Sequence, residues 1–95
     1  MSQFVLVFRV HAIQRMFQRR IGKEEVGQVI EEGEIIETYP TDKPFPSRLI
    51  LGWSGSRPIH VVAADDVSAQ ETIIVTVYQP GIEEWEPGFK RRKRR

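Results

Sequence analysis

The apolar residues of this chain change their period at Gly33, and that change narrows the fold to one class. Ahead of it, Ile13, Met16, Phe17 and Ile21 recur at helical spacing, which predicts a helix over 11–21 with Gly22 as its stop. A second helix is expected over 23–32. Glu24 and Glu25 suit its first turn electrostatically, Val26, Val29 and Ile30 form its buried stripe, and Gly33 ends it. Beyond Gly33 the spacing is that of strands, at 35–39, 48–53, 57–64 and 72–78, the last rich in β-branched residues. Pro40, Pro44 and Pro46 mark a loop, 54–56 a turn and 65–70 a polar connection. The short connections imply antiparallel pairing. The apolar run 4–8 suits either a strand or a helix lead-in, and is too short for a signal-peptide core or a membrane span. The expectation is an α+β fold: two N-terminal helices packed on one face of a twisted antiparallel sheet of about four strands.

Period-2 bookkeeping assigns the faces of that sheet. Leu49 and Leu51, then Ile59, Val61 and Ala63, then Ile73, Val75 and Val77 make one aliphatic surface for the helices. The other face collects Arg48, His60, Thr76 and Tyr78, with Ile50, Val62 and Ile74 between them. With turns centred on Gly55 and Ser68, His60 falls opposite Ile50 and Thr76, with Tyr78 in reach; a slip of one residue would reverse the faces.

A chain of 95 residues is one domain, and its small core makes single contacts count. We place that domain at 1–89 and a basic tail, Lys90, Arg91, Arg92, Lys93, Arg94 and Arg95, at 90–95. The 14 Lys and Arg against 13 Asp and Glu give a net charge of +1; without the six tail residues the balance is 8 against 13, or −5. Polyanion contact is therefore expected to be local, at the tail and at selected arginines. Cysteine is absent, so disulfides and thiolate metal sites are excluded and a cytoplasmic location is expected.

Several stretches together resemble one family. His11-Ala12-Ile13-Gln14-Arg15-Met16, followed by Arg19 and Ile21, is similar to the opening H-A-x-x-R-M-x-x-R-x-I pattern of the family called domain of unknown function 4258. Ser47 through Gly52, Arg57 through Val62 and Ile74 through Pro80 continue the resemblance, and Trp85 and the terminal arginines fit it, over about residues 10–92. The resemblance implies a small toxin of the RelE/MqsR type in a type II toxin–antitoxin system. It also implies a RelE-like fold, RNA (including ribosome-bound mRNA) as target, and an MqsA-like antitoxin with a zinc-finger domain as partner.

RNA cleavage without metal needs a base for the 2′-hydroxyl, cations for the phosphorane and an acid for the leaving oxygen. His60 can serve as base or acid, Tyr78 as proton donor or stacking platform, and Arg48 and Arg57 as a phosphate clamp. The plain alternative for His60 is a satisfied, half-buried histidine. His11, Arg15 and Arg19 lie on one helical face, to bind RNA or a partner, or simply to face solvent. The tail supplies phosphate contacts, or is only a solubilising end. Trp85 and Phe89 read as anchors for the C-terminus. Two histidines without thiolates make a poor metal site, so no metal or cofactor is expected, and no membrane partner. The leading expectation is a metal-independent, mRNA-cleaving ribonuclease. The runner-up is a non-catalytic RelE-like binding module that contacts a protein partner or nucleic acid.

Overall fold

The computed structural model describes residues 4–94. In chain order the elements are β1 (Val5–Phe8), α1 (Val10–Arg19), α2 (Lys23–Glu32), β2 (Glu34–Tyr39), β3 (Ser47–Ser54), β4 (Arg57–Asp66) and β5 (Glu71–Tyr78). The fold is α+β, with two helices and a five-stranded mixed sheet in the order β1-β5-β4-β3-β2. The expected four-stranded antiparallel sheet is thus corrected. The run ahead of α1 is a strand, and it pairs in parallel with β5 at the edge. A chain-long connection separates these two strands, so no local turn signal could announce their pairing.

The faces of the sheet also differ from expectation, for two local reasons. The β3–β4 hairpin closes through the two residues Gly55 and Ser56, since Ser54 pairs with Arg57. Gly55 has φ 62°, which the first central position of such a tight turn demands and which glycine adopts at little steric cost. The pairing is therefore one residue from a turn centred on Gly55: His60 lies opposite Leu51, and Ile50 opposite Val61. Ile50, not Leu49 or Leu51, joins the core under the helices, and Arg48 moves to the helix side with it. In β5 a bulge follows. Val62 pairs with Thr76 but Ala63 with Ile74, so Val75 is an extra residue and the parity reverses along the strand. Val77 and Ile74 face the helices, while Val75 is 37% exposed.

The helices pack on this core through a narrower stripe than the apolar spacing predicts. Ala12 and Met16 of α1 are buried, whereas Ile13 is 48% and Phe17 86% exposed. Arg20 ends α1 in the left-handed conformation, φ 55°, with its amide turned back to the carbonyls of Met16 and Phe17. Ile21 then drops into the core, and Gly22 caps the start of α2 instead of stopping α1. Val26 and Val29 are the buried residues of α2, with Ile30 partly buried beside them. α2 lies so near β3 that a Cβ on Gly52 would stand 2.5 Å from a Val29 methyl.

Arg57 holds the helix junction together. Its guanidinium donates to the carbonyls of Arg19 (2.9 Å) and Arg20 (3.0 Å) and to the Glu25 carboxylate (2.9 Å). Hydrogen bonds from the Ser54 hydroxyl, the Gly22 amide and Arg57 lower the Glu25 pKa from 4.5 to about 2. A depressed carboxyl pKa stabilises the fold fully above the unfolded value, so this support is present above pH 4.5 and fades as the pH falls toward about 2. Glu25→Gln is expected to cost about 1–2 kcal/mol at pH 7. Urea titrations across the acid range should show a shallower loss of stability for the variant, and equally steep acid limbs would contradict this account.

Candidate functional site

The sheet face turned away from the helices carries a histidine with no exposed surface. His60 pairs across the sheet with Tyr78 on one side and Leu51 on the other. Its Nδ1 lies 3.2 Å from the Tyr78 hydroxyl and its Nε2 2.9 Å from the Phe89 carbonyl oxygen. A carbonyl only accepts, so Nε2 carries the hydrogen and Nδ1 is left to accept from the tyrosine. Burial, with the Arg92 charge nearby, holds the His60 pKa below 6.5 against the opposing pull of the Phe89 carbonyl. Burial raises the Tyr78 pKa above 10, with Arg92 opposing. At neutral pH the pair is a neutral imidazole and a protonated phenol.

The lid over this histidine is the C-terminal segment. Trp85, 2% exposed, sets its ring edge against His60 with centroids 4.5 Å apart, and Phe89 meets Trp53 at 6.0 Å. Gly88 and Phe89 turn the chain with φ of 92° and 61°. It then returns so that Trp85 and Arg92 form a β-bridge, Glu86 N–H donates to the Arg91 carbonyl and Lys93 N–H to that of Glu84. The basic run is therefore folded onto the body through Arg94, with Lys90 paired to Glu34 at 3.0 Å and the Arg92 guanidinium over the Trp85 ring. Arg95 lies outside the described residues.

Tyr78 opens onto a cleft of about 300 Å³ at the edge of the sheet. β1 pairs only with Glu71–Ile74, so among the described residues the second half of β5 has no strand beside it there. Arg15 and Arg19 from α1, Arg92 from the C-terminal segment, and Thr76 and Tyr78 from β5 line the cleft. Three arginines thus line the cleft that Tyr78 also borders, and of these Arg92 is the one whose charge acts on the Tyr78 hydroxyl. Gln79 and Glu84 also line it, and no spacing in the sequence marked them.

The structure brings together His60, Tyr78, Arg15, Arg19 and Arg92. It separates them from Arg48 and Arg57, which lie toward the helices: Arg48 is ion-paired with Asp65 at 3.2 Å, and Arg57 clamps the helix junction. His11 lines a second cleft a helical turn before Arg15. Lys90, Arg91, Lys93 and Arg94 are exposed on the returning segment, with Lys93 and Arg94 on the far side of Arg92 from the cleft. No group of three or more potential metal ligands occurs among the described residues, nor a helix long and apolar enough to cross a membrane.

His60→Ala would strand the Phe89 carbonyl and the Tyr78 hydroxyl beside a cavity, at an expected cost of about 2–4 kcal/mol. Trypsin should then cut the folded variant at residues 90–94 faster than it cuts the parent chain. Unchanged stability and unchanged cleavage would show that His60 does not hold the segment down.

Comparison with curated proteins and with solved structures gives no match. The family described as Domain of unknown function (DUF4258) matches residues 8–79, from the end of β1 to one residue past Tyr78. The matched stretch contains Arg15, Arg19, His60 and Tyr78 and leaves Trp85 and Arg92 outside. With most of its length matched, the chain belongs to the DUF4258 family.

Proposed function

We propose that the protein is an RNA-cleaving toxin-type ribonuclease whose centre is Tyr78, backed by His60 and surrounded by Arg15, Arg19 and Arg92. The observation that carries this reading is Tyr78, whose hydroxyl meets a buried neutral imidazole while its side chain borders a cleft lined by three arginines. In the proposed reaction the arginines bind the scissile phosphate and offset the charge that gathers on it. The RNA 2′-oxygen bonds to phosphorus and the P–O5′ bond breaks. The 2′-hydroxyl proton passes to the Tyr78 oxygen as the Tyr78 proton passes to His60 Nδ1, and the leaving oxygen takes a proton from water. His60 is then imidazolium, its Nε2–H still on the Phe89 carbonyl. It acts through Tyr78 and needs no exposed surface for this. Arg48 and Arg57 serve the fold in this scheme, and α1 and Arg92 supply the clamp.

One observation favours the second reading, a module that works by contact alone. α1 exposes Val10, Ile13 and Phe17 along one shoulder, and the chain through Lys23 holds Arg9, Arg15, Arg19, Arg20 and Lys23 without a single acidic residue. An apolar stripe with a cationic border suits an acidic amphipathic segment of a cognate antitoxin, which in the toxin reading would also block the cleft beside it.

The test is a single-stranded RNA labelled at its 5′ end, incubated with the purified chain in chelator. We expect fragments ending in a 2′,3′-cyclic phosphate, a loss of about 10²–10⁴-fold in rate for Tyr78→Phe, and binding without cleavage for DNA of the same sequence. Intact RNA, with binding that still requires Arg15 and Arg19, would move the assignment to the binding module.

A further inference from the structure

A second cleft lies along α1 beside the arginine cleft. One helical turn before Arg15, His11 borders a larger cleft of about 510 Å³, within the range of small-molecule sites. Its floor is apolar, made by Ala64, Ile73 and Val75, and one wall is the β2–β3 loop with Pro44 and Phe45. Its rim carries Arg9, His11 and Lys43. Neither Arg9 nor Lys43 is ion-paired among the described residues. Val75, in the floor, is next in the chain to Thr76, which lines the arginine cleft, so a strand lying along α1 would reach both.

Two features narrow what fits. A flat apolar group with a negative charge close by matches the floor and the cationic rim, and a nucleotide within a strand has that form. The loop also presents Asp42, which accepts the Ser47 hydroxyl on Oδ2 at 2.5 Å, so the side chain is held and Oδ1 is left as an acceptor. A carboxylate held in this way accepts from an exocyclic amino group and repels a carbonyl at the same place.

We infer that this second cleft is a base-reading subsite, which takes a neighbouring nucleobase of the strand bound at Tyr78 and favours cytosine over uracil through Asp42. This inference rests on the RNA reading of the arginine cleft. It gives functions to His11, Arg9 and Lys43, which the cleavage scheme leaves idle, and it gives the bulge at Val75 a purpose in opening the floor.

The test is binding, by fluorescence anisotropy, of labelled six-nucleotide oligocytidylate and oligouridylate to the Tyr78→Phe chain, which should bind without cutting. The cytidine oligomer is expected to bind about 5–100-fold more tightly. Asp42→Asn should collapse the ratio toward one. Val75→Trp, which fills the cleft from an exposed position, should lower cytidine binding to the uridine level and leave uridine binding nearly unchanged. Equal affinities unaffected by either substitution, with both lost on Arg15→Ala/Arg19→Ala, would overturn the subsite and keep the RNA reading. Failure of both oligomers to bind, even at low salt, would overturn the RNA reading and the subsite with it.

Discussion

The buried imidazole of His60 is the contact on which the arrangement of this protein depends. A polar ring with no exposed surface is tolerated only when both nitrogens are satisfied, and here one partner comes from β5 and the other from the C-terminal segment. The same two bonds fix its tautomer, hold the segment over the open face of the sheet, and aim an acceptor at the Tyr78 hydroxyl. Trp85 closes the arrangement from above, and Arg92, stacked on Trp85, is thereby brought to the cleft. Folding of the C-terminus and assembly of the cationic cleft are one event in this account.

Much of the frame was legible in the sequence. The 23–32 helix was read with the observed ends because Gly22, Glu24, Glu25 and Gly33 punctuate it on both sides. The four later strands lie within two residues of their expected limits, since turn residues bound each of them. That His60 and Tyr78 share the face away from the helices was also readable. Their direct pairing was not, because register depends on whether the turn has two central residues or one.

What failed to show has identifiable physical causes. A bulge at Val75 changes parity within β5, and no alternation count reveals an inserted residue. In α1 the apolar spacing of Ile13 and Phe17 imitates a core stripe, but the helix is seated on Ala12, whose small side chain allows close approach to the sheet. That Arg48 and Arg57 stand apart from His60 and Tyr78 did not show either, because the sequence does not disclose that Asp65 and Glu25 are beside them. Arg92 was one cation in a run of six until a turn at Gly88 and Phe89 singled it out.

The protonation state of His60 tests the central claim most directly, and long-range nitrogen–proton NMR of the imidazole reads it without any substrate. A neutral ring at pH 7 is expected, with hydrogen on Nε2 and a bare Nδ1, and with its protonation midpoint below 6.5 while the chain remains folded. A neutral ring with its hydrogen on Nδ1 would contradict the account, because His60 could then neither donate to the Phe89 carbonyl nor accept from Tyr78, and so would an imidazolium at neutral pH, which keeps the bond to Phe89 but has no nitrogen left to receive the Tyr78 proton.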